Sequence, residues 1–160
     1  MLKFSAMNQI IEPLANAPDV WELLLLADPS REAVEEYLHA GQGFMIRSDD
    51  GKPWGVIVIS PSATDELEIM NVAVAPEVEG QGYGQQLLTY VENYARQQGY
   101  SHLRIATANS SLRQLKIYQR AGFDMDRLVP NHFLTHDYPP DLSEDGIPTR
   151  HRIELVKHLT

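Results

Sequence analysis

Residues 66–74, ELEIMNVAV, constrain the fold more than any other stretch, because apolar side chains stand on both faces of the strand they would form. Such a strand belongs in the middle of a sheet that is covered on both sides. The rest of the chain supplies that cover in alternation. In DVWELLLLADPS, Val20, Leu23 and Leu24 share a helical turn that Asp19 can cap, and Asp28-Pro29-Ser30 ends this helix and starts the next. Residues 31–39 carry Val34, Tyr37 and Leu38 at helical spacing, stopped by Gly41 and Gly43. Strands are expected at 43–47 and 54–60, joined by the Asp-Gly turn of SDDGK. Residues 85–98 place Leu87, Leu88, Val91, Tyr94 and Ala95 on one stripe that ends at Gly99. A strand at 102–106, a helix at 111–121 closed by Gly122, a strand from Phe123 and a last strand at 152–158 complete an α/β order in a single domain, 1–160. The polar, proline-containing connection at 130–150 is long for a compact domain, and such loops are functional or mobile.

Composition removes several kinds of chemistry. The chain has no cysteine, so a thiolate nucleophile, a disulfide framework and a cysteine zinc site are excluded. Its 13 Lys and Arg against 22 Asp and Glu give a formal charge of -9, which argues against a nucleic-acid partner and suits a cationic small molecule or basic peptide. No apolar run approaches the roughly 20 residues of a membrane helix, and no signal-like segment opens the sequence, so a cytoplasmic protein without a membrane partner is expected. His132 and His136 form an HxxxH spacing between Pro130 and the Pro139-Pro140 pair, where a helix is not expected. We therefore expect no metal there; the segment reads better as the lining of an acceptor pocket, with His136 and Tyr138 sensing substrate shape.

Between the central strand and the helix at 85–98 lies EGQGYGQ, with Gly80, Gly82 and Gly84. A glycine loop feeding a helix start presents unpaired N–H groups to an anion. A Walker A loop is ruled out because no lysine and Ser/Thr follow Gly84. A dinucleotide GxGxxG fails because Gln85 and Leu87 stand where its third glycine belongs. Alone, the glycines support only a tight turn or a phosphate-sized opening.

With its flanks, the loop says more. The succession LEIMNVAV, APEVEGQGYGQQLL, a strand and NSSLRQLKIYQRAGF, spanning 66–123, resembles the GNAT superfamily of acetyl-CoA-dependent N-acetyltransferases. The resemblance implies the GNAT (acyl-CoA N-acyltransferase) fold, a mixed central sheet of about six or seven strands flanked by about four helices. It implies acetyl-CoA as co-substrate, its pyrophosphate over the amides of the loop Glu79-Gly80-Gln81-Gly82-Tyr83-Gly84 and Gln85. The family's first loop position is Gln or Arg, and here it is Glu79, an anion beside a polyanion. Backbone groups near Val72 and Val74 are implied to pair with the pantetheine arm, with the amides of Val72 and Ala73 as oxyanion donors, and Asn109 or Ser111 to touch the cofactor.

Acetyl transfer to an amine needs the amine deprotonated, because an alkyl ammonium has a pKa of ~10.4, and it needs a proton donor for the leaving thiolate. The resemblance implies Glu68 on the central strand as base and Tyr118, ahead of Gly122-Phe123, as acid. Glu68 reads equally as one half of a buried ion pair, and Asp137 or Glu144 are displaced alternatives for the base. Asn71 could orient substrate or water, or be a satisfied buried amide. The expected enzyme acetylates a primary amine in a ternary complex; the alternative is a non-catalytic acyl-CoA-binding regulatory module. A homodimer is left open.

Overall fold

The computed structural model describes residues 10–135 and 137–159; the expectation for His136 lies outside them. The chain opens with strand β1 (Ile11–Pro13) and two helices, α1 (Pro18–Ala27) and α2 (Arg31–Ala40). Pro18 occupies the first turn of α1, so the helix starts ahead of Asp19, which lies inside it rather than capping it. Ser30 caps α2 by accepting a hydrogen bond from the Ala33 amide. Strands β2 (Gln42–Arg47), β3 (Pro53–Ala63) and β4 (Glu66–Val74) follow, then α3 (Tyr83–Gln97), β5 (His102–Ala108) and α4 (Leu112–Arg120). After β6 (Asp124–Val129), the long connection contains a small hairpin, β7 (Ser143–Glu144) and β8 (Ile147–Pro148), before β9 (Arg152–His158).

Seven strands form one mixed sheet in the order β1-β2-β3-β4-β5-β9-β6. Only β4 and β5 run parallel, and β9 inserts between β5 and β6. Two features of β4 position the site. Its parallel pairing with β5 covers only Glu66–His102 to Ile69–Ile105, after which β4 continues to Val74 with no ladder on that side. At the same place Met70 is an extra residue, since Val58 pairs with Asn71 but Ile59 pairs with Ile69. A bulge of this kind re-aims side chains.

The two faces are covered by different helices. On one face, the Asn71 amide reaches Leu24 of α1 and Tyr37 of α2. On the other, Gly55 lies under Leu87 of α3, and Lys157 of β9 bridges Glu92 of α3 and the Ala121 carbonyl at the end of α4. Leu87, Leu88, Val91 and Ala95 bury the stripe of α3 expected from their spacing, and Ile57, Ile59, Leu67, Leu103, Ile105 and Leu155 form the sheet's core. Among the described residues, no helix is long and apolar enough to cross a membrane.

Candidate active site

The glycine loop runs from a short 3-10 turn (Pro76–Val78) into α3. Gly80 and Gly82 have φ of 79° and 93°, a left-handed backbone that a side chain opposes. Gly82 is also the cap residue of α3, so among the described residues no side chain caps the first amides of the helix, Tyr83 to Gln85. Tyr83 is buried with its ring 4.8 Å from that of Trp54, which fixes this helix start to β3. Gly84 differs from the other two glycines. A Cβ there would meet only Val74 Cγ2, at an ordinary 3.5 Å, so nothing in the folded chain requires its absence. Val72 and Val74 pair with Ile57 and Gly55 and face α3, whereas Ala73 pairs with Val56 on the opposite face. The unpaired edge of β4 and the open helix start therefore meet along one side of the sheet.

The Glu79 carboxylate forms an ion pair with Arg113 in the first turn of α4. Glu77, in the same loop, is paired with Lys52 at 2.5 Å. Both loop anions are thus neutralised by cations brought from other elements.

Because Met70 shifts the alternation, Glu68 and Asn71 share the face of α1 and α2. Glu68 Oε2 accepts a hydrogen bond from Arg152 Nη2 at 2.9 Å. Burial nevertheless pushes the Glu68 carboxyl above its ordinary value, opposed by Arg152 and assisted by the nearby Glu154. Ala106 and Ala108, the small residues of β5 opposite Glu154 and Arg152, let these longer side chains meet over that strand. Asn71 donates to the Leu24 carbonyl and the Tyr37 hydroxyl, both at 2.9 Å, and Tyr37 donates in turn to Asp28 Oδ2 at 3.2 Å. Its own Oδ1 is buried with no protein partner. Of the two readings of Asn71 offered by the sequence, a satisfied buried amide and an orienting group, the first holds on the donor side alone among the described residues. From the long connection, His132 and Tyr138 come within 3.5 Å of each other. Both lie within electrostatic reach of Asp28 and Arg152, and burial lowers the His132 pKa while raising that of Tyr138.

Tyr118 lies on the other face. Its ring packs edge-on against Phe123, 6.4 Å between centroids, and its hydroxyl has no hydrogen-bond partner among the described residues. Burial alone pushes this phenol well above the ordinary tyrosine value, so it keeps its proton. Acid and base candidates thus approach from opposite faces of the sheet. Asn109 is used structurally: its Oδ1 accepts from the Arg150 and His151 amides and its Nδ2 donates to the Pro148 carbonyl. Ser110 and Ser111 both donate to Glu144, which ties the β7–β8 hairpin to the start of α4. Glu144, one of the displaced candidates for the base, is accordingly held away from Glu68 on a different element. Arg113, Arg152, Asp28 and Tyr37 were not singled out from sequence as site residues. Each is placed by a tertiary contact that leaves no local spacing to read.

This arrangement of a split sheet, glycine loop and paired helices has counterparts among known proteins. Residues 12–123 match the acetyltransferase (GNAT) family. The chain is 36% identical over 141 residues to the uncharacterized N-acetyltransferase YvbK of Bacillus subtilis (strain 168), covering 88% of this chain and 90% of that one. A GNAT family acetyltransferase from Elizabethkingia anophelis, solved with acetyl-CoA bound, is 37% identical, covers 95% of this chain and 99% of its own, and superposes with a TM-score of 0.88. A Bacillus subtilis acetyltransferase solved in complex with CoA is 34% identical, with 96% and 100% coverage and a TM-score of 0.88. The chain belongs to the GNAT family of acetyltransferases.

Proposed function

We propose that this protein transfers the acetyl group of acetyl-CoA to a primary amine by direct attack in a ternary complex. The observation that carries the reading is the end of β4–β5 pairing at Ile69–Ile105, which leaves the edge of β4 beside the uncapped start of α3. An extended pantetheine arm can pair with backbone groups of Val72 and Val74 there, and the amides from Gly80 to Gln85 can receive the pyrophosphate. Acetyl-CoA in the Elizabethkingia protein and CoA in the Bacillus protein support this choice of donor. The amide of Val72, on the edge of β4 away from β3, would stabilise the carbonyl oxygen as charge develops on it, whereas that of Ala73, in phase with the Ala75 amide that donates to Trp54, turns toward β3.

The acceptor approaches from the α1–α2 face. Glu68, acting directly or through water, removes a proton from the ammonium group; the nitrogen then attacks the thioester carbon, a C–N bond forms and the C–S bond breaks. Tyr118 hydrogen-bonds the departing sulfur. Because burial makes its phenol a weaker acid, its first contribution is a hydrogen bond that stabilises the thiolate. Tyr118 passes a proton to the sulfur as it takes up the second proton shed by the nitrogen, so amide, free thiol and a neutral phenol result. Asp28 has no cationic partner among the described residues, and with Tyr37, His132 and Tyr138 it borders the acceptor side, which favours an amine carrying further positive charge.

The test is release of free thiol from acetyl-CoA across a panel of primary amines and basic peptides, with coenzyme A binding measured in parallel. Amine-dependent thiol release supports the reading. Tight coenzyme A binding without turnover across the panel would identify a binding module instead.

A further inference from the structure

The glycine loop opens on a carboxylate, Glu79, where an anionic ligand is proposed to enter, and the fold answers that charge from another helix. Arg113, second residue of α4, pairs with Glu79, so the contact spans from the loop before α3 to the first turn of α4. Both side chains remain about half exposed, 53% for Arg113 and 44% for Glu79. Among the described residues Arg113 has no other ionic partner. The other nearby loop anion, Glu77, is already taken by Lys52.

An exposed ion pair of this kind contributes little, typically about 0–1 kcal/mol, so Arg113 can change partners at small cost. A guanidinium is suited to the exchange, because it can grip two phosphate oxygens at once, which a carboxylate-paired lysine cannot do. From Glu79 the same loop leads through the left-handed Gly80 and Gly82 to the first amides of α3, Tyr83 to Gln85, which no side chain among the described residues caps.

We propose that Arg113 is a phosphate-binding residue for the donor, held at the mouth of the glycine loop by Glu79 until a diphosphate takes its place. The cationic contact then comes from α4 rather than from the loop itself. Glu79 lowers affinity in two ways, by competing for Arg113 and by repelling the phosphates. This inference rests on the reading that coenzyme A occupies the glycine loop.

The test is calorimetric titration of coenzyme A into the wild-type protein, Arg113→Gln, Arg113→Lys, Glu79→Gln and the Glu79→Gln/Arg113→Gln double variant, at two salt concentrations. Arg113→Gln is expected to weaken binding by about tenfold or more and to flatten its salt dependence, with an unchanged melting temperature. Arg113→Lys falls between. Glu79→Gln tightens binding, and by less when Arg113 is absent. Equal affinity and equal salt dependence in wild type and Arg113→Gln would overturn the proposal while leaving the donor reading intact. Failure of the wild type to bind coenzyme A would overturn the donor reading and this proposal with it.

Discussion

Arg152 places Nη2 2.9 Å from Glu68 and Nε 3.2 Å from Glu154, so one guanidinium is shared between two carboxylates on the face of α1 and α2. Its hold on Glu68 does not fully offset burial, and the Glu68 carboxyl stays above the ordinary range. The base form of Glu68 is the carboxylate, so activity is expected to rise with pH through this raised pKa. Glu68→Gln is expected to lower kcat/KM by about 10²-fold or more and to remove that acidic limb. Arg152→Gln takes away the stabilising cation and moves the limb to higher pH. Profiles of kcat/KM against pH, using the first amine found to turn over, check all three outcomes; a Glu68→Gln profile matching wild type would assign the residue to structure alone.

Tyr118 is buried and its hydroxyl has no hydrogen-bond partner to lose among the described residues. Tyr118→Phe is therefore expected to leave folding and coenzyme A affinity nearly unchanged while lowering kcat by about 10² to 10⁴-fold. Thiol-release kinetics beside a binding titration separate the two effects. Full activity in the variant would remove the assigned role.

The glycines of the loop are expected to respond differently to the same change. Gly82→Ala forces a Cβ into a left-handed backbone and costs about 1–2 kcal/mol, read by thermal unfolding. Gly84→Ala meets only Val74, so in the ligand-free protein it is expected to stabilise α3 by up to about 1 kcal/mol. The same substitution is expected to weaken coenzyme A binding if the pyrophosphate lies over these amides as proposed, and a binding titration checks it.

Glu66 accepts from Arg104 Nε at 2.9 Å and Nη2 at 3.0 Å, and these bonds hold its carboxyl below the ordinary value. A carboxyl depressed in the folded state stabilises above its unfolded pKa, and this contribution is lost as pH falls through the folded value. Glu66→Gln is thus expected to cost about 1–3 kcal/mol near pH 7, with the gap to wild type narrowing as the pH is lowered below the carboxylate range. Urea unfolding at a series of pH values measures it.

What sequence could reveal followed the range of the forces involved. Strand β4 was legible to its ends because its two apolar faces are a local pattern, and β9 because Ile153, Leu155 and Val156 form a short apolar run after a polar, proline-containing stretch. The helix at 85–98 begins two residues earlier in the structure, at Tyr83, because Gly82 can turn the chain into it directly. The β7–β8 hairpin was read as loop although SEDGIP contains the same Asp-Gly signal as SDDGK. Its strands are too short to show alternation, and it is held by Glu144 on Ser110 and Ser111, contacts distant in sequence. The loop and Tyr118 were visible as motifs. The partners that set their charges, Arg113 for Glu79 and Arg152 for Glu68, were not, since each pairing depends on strands and helices meeting from far apart in the chain.

The extra residue in β4, Met70, also decides which residues share a face of the sheet. Glu68 and Asn71 are an odd number of positions apart and would stand back to back in a regular strand, yet they share one face here. Were Met70 drawn into a regular ladder, either the 71–74 segment or the 66–69 segment would turn over. In the first case Val72 and Val74 would point toward α1 and α2; in the second, Glu68 would turn toward α3. One bulged residue thus keeps the Glu68–Asn71 face and the Val72–Val74 face in phase along a single strand.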